Sequence, residues 1–216
     1  MKLPKIIAVG FLLLLAACSS KSEIVYEMGL KTRSPARAMK LIQASERMMI
    51  RRLAATDVKN SLVTAVPTGF GSGKLTVKVA DKKAAETVRR ILEEPFPFDI
   101  RLEKTGTGKE LSEYAPAGIE GIDLEWIEVV ESSTGQIGVE LFFTPEGRAK
   151  LEKIFKDNEG KNMGIFVRDI LVSQLKIQGK VLGEKVIIGG IPSKKVAEVF
   201  ADDVNVGLKV SFTPVN

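Results

Sequence analysis

Cys18 is the only cysteine among the 216 residues, and the chain has no histidine. Such a chain closes no internal disulfide and offers no Cys/His set for structural zinc. Whatever it folds into is held together by burying apolar side chains, so their spacing along the chain decides the architecture. The same shortage excludes Ser-His-Asp and Cys-His chemistry. Carboxylate pairs and a Ser-Lys dyad are the catalytic options left.

The N-terminus reads as a processing signal. Lys2 and Lys5 precede an apolar run over residues 6–15, which is too short to span a bilayer. Leu15-Ala16-Ala17-Cys18 follows and matches the lipobox of bacterial lipoproteins, where small side chains flank the cut and the thiol accepts lipid. The expectation is a signal peptide over residues 1–17, lipidation at Cys18, and a tether over residues 18–22. The chain is then exported and held in the cell envelope, facing the periplasm. Ser19 after the lipid site, in place of aspartate, favours the outer over the inner membrane in a Gram-negative cell. The formal charge of +5 becomes +3 once Lys2 and Lys5 are removed, and the charges are interleaved. Neither the charge nor the address points to nucleic acid. No later segment has the apolar length of a transmembrane helix.

Two pattern blocks follow. Ile24, Tyr26 and Met28 alternate as a strand. Ser34-Pro35 opens a helix burying Ala38, Leu41, Ile42, Ser45, Met49 and Leu53. Residues 62–66 are a strand, residues 67–74 a glycine-rich turn, and Leu75, Val77 and Val79 alternate after it. Asp81 caps a helix with the stripe Ala84, Ala85, Val88, Ile91 and Leu92, ended by Pro95 and Pro97. Phe98, Ile100 and Leu102 form one more strand. The order β-α-β-β-α-β predicts a ferredoxin-like base over residues 23–104. Residues 105–125, rich in Gly, Pro and charge, read as a linker. A smaller α+β head over residues 126–216 follows: a hairpin turning at Ser133-Thr134-Gly135-Gln136 and a helix capped by Thr144. Two short strands flank Asp169, another lies within residues 181–188, a helix after Pro192-Ser193 buries Val196, Val199 and Phe200, and a last strand carries Leu208, Val210 and Phe212. The fold class is α+β.

Several groupings resemble sites. Gly69-Phe70-Gly71-Ser72-Gly73-Lys74 fails as a phosphate loop, since Thr68 and Leu75 occupy the required Gly and Ser/Thr positions and a strand follows. It reads as a hairpin. Asp202-Asp203 and Glu93-Glu94 diverge on a helix and read as solvated ends. Ser193-Lys194-Lys195 sits where serine caps a helix. Trp126, the lone tryptophan, reads as core or domain junction ahead of a ligand platform. Residues 187–191 read as core strand plus turn, with an exposed apolar edge that accepts an extended peptide as the sharper alternative. No catalytic residue, cofactor or metal ligand is expected, and the chain reads as a non-enzyme.

Longer wording matches a known family. Met48-Met49-Ile50-Arg51-Arg52-Leu53 with Asp57-Val58, and Gly73-Lys74-Leu75-Thr76-Val77-Lys78-Val79 before the helix of residues 81–92, resemble the first extracytoplasmic domain of SecD and SecDF. So do Val139-Glu140-Leu141-Phe142-Phe143-Thr144-Pro145-Glu146-Gly147, Gly160-Lys161, Gly164-Ile165-Phe166-Val167-Arg168-Asp169 and Val186-Ile187-Ile188-Gly189-Gly190. The resemblance implies a base plus a head, with the head contacting exported preprotein. The chain departs from the family at Ile170, where Gly is usual, and at Gln174-Leu175, where Ala-Pro is common; it also lacks the transmembrane carboxylates, so proton-driven work is not expected. The implied partners are unfolded exported polypeptide or the Sec translocase, alongside the membrane through the lipid anchor. Nothing in the sequence identifies the residues that would hold polypeptide. The alternative is a structural or assembly lipoprotein docked on another envelope protein.

Overall fold

A computed structural model describes residues 22–104 and 113–215. Cys18 and the proposed signal and tether up to residue 21 lie outside the described residues. The class is α+β, with four α-helices and three antiparallel sheets among the described residues.

The base starts as its apolar spacing dictates. β1 (Ser22–Leu30) turns Ile24, Tyr26, Met28 and Leu30 inward. α1 (Pro35–Ala54) begins at Ser34, whose Oγ accepts the Arg37 N–H, with Pro35 supplying a pre-set first turn. The predicted stripe Ala38, Leu41, Ile42, Ser45, Met49 and Leu53 is buried. β2 (Leu62–Gly69) and β3 (Ser72–Val79) form the expected hairpin, with Gly71 at φ 73° in its turn. α2 (Lys82–Glu93) is capped by Asp81, which accepts the Ala84 N–H at 2.8 Å.

The next strand departs from expectation. β4 (Phe98–Glu103) does not join the base. It pairs with β5 (Tyr114–Glu120) and β8 (Asn162–Val167), and β9 (Ile170–Lys176) completes that sheet in the order β5-β4-β8-β9. The fourth base strand is β11 (Val210–Pro214), giving β11-β1-β3-β2, the ferredoxin-like order with its last strand drawn from the C-terminus. Base residues therefore do not end at 104. The head is inserted between α2 and β11, and residues 210–214, assigned to the head by the sequence pattern, close the base. Alternation of Phe98, Ile100 and Leu102 marks a strand but carries no information about which sheet receives it. Residues 114–124 are not a linker either: Ile119 and Leu124 are fully buried, in β5 and at the start of β6.

The rest of the head is a second sheet, β10-β7-β6, built from β6 (Leu124–Glu131), β7 (Ile137–Phe143) and β10 (Val186–Ile188). α3 (Pro145–Asp157) is capped by Thr144 and α4 (Lys194–Lys209) by Ser193. Both head sheets contribute to one core, with Ile100, Ile119, Ile127, Val139, Leu151, Met163, Ile165 and Val204 at its centre. α4 differs from the expected stripe. Val196 is exposed, Val199 and Phe200 are half-buried, and Ala197, Ala201 and Val204 face inward. Small residues there let α4 approach β6 closely.

Base and head are tied by side chains. Trp126 of β6 is buried in the base core, with the Arg37 guanidinium 5.2 Å from its ring centroid. Arg47 and Arg51 of α1 pair with Asp202 and Asp203 of α4. Ala44 and Met48 pack on Val206 beneath those pairs. The buried amide of Asn205 accepts from the Ile127 N–H at 2.9 Å and donates to the Ile127 carbonyl at 2.8 Å, capping the β6 edge as a strand would.

Candidate functional site

Two of the outer strands of the head's sheets, β10 and β9, differ in length and dressing. β10 contributes three residues; Val186 and Ile188 are buried and Ile187 is 43% exposed. The loop before it is held by Arg148, which donates to the carbonyls of Gly183 and Glu184. The segment at 187–191 is thus mainly core strand and turn, with one apolar side chain outside.

β9 is longer and barer. Its inner edge pairs with β8, and among the described residues no strand pairs with its outer edge. The register passes from Ile165 opposite Ser173 to Phe166 opposite Leu171, so Val172 is the extra residue of a bulge. The bulge breaks the alternation and leaves Ile170, Leu171 and Val172 exposed at 66%, 41% and 41%. No charge occurs from Ile170 to Leu175, although charges commonly guard such edges. The turn into β9 is Arg168-Asp169, at φ 51° and 62°, the paired left-handed conformation of a tight hairpin.

A buttress fixes the strand from behind. Arg101 donates to Asp99 and Asp169, and its guanidinium lies 4.2 Å from the Phe166 ring centroid. The hydrogen bonds to these carboxylates bind its proton more tightly than usual. Tyr114 meets Phe166 edge-on at 5.2 Å. Gly164 lies among them: a Cβ there would come within 2.9 Å of Phe166, Leu171 and Tyr114. The outcome is a rigid, apolar, hydrogen-bond-competent edge. Chemically it can add a strand.

The other groupings fall where packing puts them. Within Gly69 to Lys74 only Phe70 and Gly71 form the β2–β3 turn, the rest being strand, and Phe70 projects from it. Ser193 caps α4 while Lys194 and Lys195 stay exposed. Asp202 and Asp203 serve the base–head contact, and Glu94 pairs with Arg168. Trp126 is at the domain junction. Among the described residues no cluster of acidic, His or Cys side chains is arranged to hold a metal, and no helix is long and apolar enough to cross a membrane. The β9 edge was missed in the sequence, although three consecutive apolar residues in an alternating strand were the available signal.

Comparison with known proteins agrees with this architecture. Residues 102–207 match the family model described as SecDF, P1 head subdomain, just under half of the chain. That span begins in β4 and stops before β11, so it excludes the strand that closes the base. The fold is similar to that of SecDF from Thermus thermophilus, a translocon-associated membrane protein, with a TM-score of 0.54, 18% identity and 91% of this chain covered. A second SecDF structure, of a membrane component that enhances protein export, aligns at a TM-score of 0.48 and 18% identity over 90% of this chain and 99% of that one. The chain spans about 30% of the length of the Thermus protein. No curated protein matches. Residues 102–207 thus match the SecDF P1 head subdomain, and the fold around them is similar to that of SecDF, as the sequence resemblance implied.

Proposed function

We propose that this chain is a non-enzymatic envelope lipoprotein, anchored through Cys18, whose SecD-like head binds exported polypeptide in extended form at the β9 edge. The observation that carries the reading is that edge: an unguarded apolar strand, rigidly buttressed, on a head that matches the SecDF P1 head subdomain. Main-chain hydrogen bonds to an added strand give affinity without reading sequence, while Ile170, Leu171 and Val172 favour apolar segments. That combination suits a partner that is unfolded and variable. The short distance from Cys18 to β1 would hold the module close to the membrane.

Photo-crosslinking tests it in cells. A probe at Val172 should capture exported polypeptide or a Sec component, and a probe at Glu86 on the far α2 face should not. Capture of a single stoichiometric envelope protein at Val172 would instead make the chain a docking subunit. Equal labelling at both positions would remove the edge from the account. In the same cells, Cys18→Ser should abolish incorporation of labelled palmitate; persistent labelling would refute the anchor.

A further inference from the structure

A second surface lies where base and head meet, away from β9, and it carries charge. An open cleft of about 670 Å³ is lined by Lys31, Arg33, Arg37 and Lys209, by Thr32, Ser34 and Thr144, and by the single carboxylate Glu125. Four separate stretches converge to make it. The loop from β1 and the first turn of α1 supply residues 31–34 and Arg37, the start of β6 supplies Glu125, the cap of α3 supplies Thr144, and the end of α4 supplies Lys209. The Lys31 N–H donates to the Lys209 carbonyl at 2.8 Å, which fixes the two lysines side by side.

Charge in the cleft does not balance. Glu125 is already paired with Arg37. The Lys209 ammonium donates to the Leu124 carbonyl at 2.6 Å, a neutral acceptor. Its pKa lies below the ordinary lysine value, first because it is half-buried and then because Lys31 and Arg37 repel it, with Glu125 acting the other way. The polar groups are biased in the same sense. Thr32 Oγ1 accepts the Ser34 N–H, Ser34 Oγ the Arg37 N–H, and Thr144 Oγ1 the Gly147 N–H. Each hydroxyl keeps a proton of its own that it can donate. The N-terminus of α1, with no acidic residue in its first turn, opens on the same space. A cleft with four cations, three hydroxyl donors and one engaged carboxylate is complementary to a compact oxyanion.

We propose that this junction cleft binds a phosphoryl group, either free as phosphate or a phosphate monoester, or carried on a lipid headgroup. The anion bridges Lys31 and Arg33 of the base to Lys209 of the head and so stiffens their contact. The proposal is independent of the polypeptide reading, because it uses none of the β9 residues.

The test uses the full-length chain. Phosphate, glycerol 3-phosphate and chloride at matched ionic strength are compared by thermal melting and titration calorimetry, and vesicles of phosphatidylglycerol in phosphatidylcholine by sedimentation. Saturable stabilisation by phosphate or the monoester, absent in chloride, supports a soluble ligand. Vesicle binding displaced by phosphate supports a headgroup. Lys31→Gln with Arg33→Gln should weaken either interaction at least tenfold; both side chains are exposed, so the fold should survive. Lys209→Met is the companion variant and should also raise the melting temperature in chloride if charge crowding is relieved. No difference between phosphate and chloride together with no displaceable vesicle binding, or binding unchanged in the double variant, would overturn the proposal.

Discussion

Asn205 shows how one polar side chain can settle the position of an element. It sits on α4 between Val204 and Val206 and is 6% exposed. Its amide satisfies both backbone groups of Ile127, so β6 ends its sheet without a bare edge in the core. Leucine, with the same branching and number of heavy atoms, would keep the shape approximately and strand a buried N–H and C=O together. Each unsatisfied group costs roughly 1–3 kcal/mol, so Asn205→Leu should lose about 3 kcal/mol in urea unfolding at unchanged m. A loss below about 1 kcal/mol would mean that water reaches Ile127. Periodicity alone does not single out this residue, since one asparagine in an apolar stripe reads as a flaw in the pattern. Caps were legible by contrast: Ser34, Asp81, Thr144 and Ser193 act through neighbours three positions away, and such local chemistry is written in order along the chain.

At the scale of elements, legibility divides along the same line. Strands and helices came from periodicity, and most stand where expected. Partners did not, because β4 and β11 are equally good fourth strands for the base by pattern alone. What separates them is contact over more than 180 residues, as in Met28 opposite Phe212. The packing of α4 is similarly hidden. Gly207 looks like a helix flaw, yet a Cβ there would lie 2.2 Å from Cγ of Phe96. Alanine in a helix gains about 1 kcal/mol over glycine by propensity. Overpacking costs typically 1–3 kcal/mol and more when a ring cannot yield. The clash should win: Gly207→Ala is expected to lower stability by about 2 kcal/mol. Phe96→Ala made in that background should cost less than in the parent, and additive effects in the double-mutant cycle would sink the explanation.

At the scale of the whole molecule, the inserted head makes the base a discontinuous structure. Residues 22–93 supply three strands and two helices, and β11 arrives only after the head is complete. β11 covers the outer edge of β1 from Tyr26 to Leu30, and the Val215 N–H extends the ladder to the Val25 carbonyl at 2.9 Å. Val210 and Phe212 also close over the base core. If β4 had been the fourth strand, residues 22–104 would be a self-sufficient domain. With β11 in that place they should not be. Expressed alone, residues 22–104 are expected to lack a cooperative melting transition. The chain ended at Lys209 should melt well below the full-length protein, because the base loses an edge strand and its cover together. In the intact chain Trp126, a head residue inside the base core, should report the same transition in fluorescence that circular dichroism reports in the backbone. A folded 22–104 fragment, or a Lys209-terminated chain with an unchanged midpoint, would show that β11 decorates the base without completing it. Separate transitions by the two probes would show that the Trp126 contact and the Arg47 and Arg51 pairs do not couple head to base. Coincident transitions would mean that a ligand binding at the junction stabilises both halves at once.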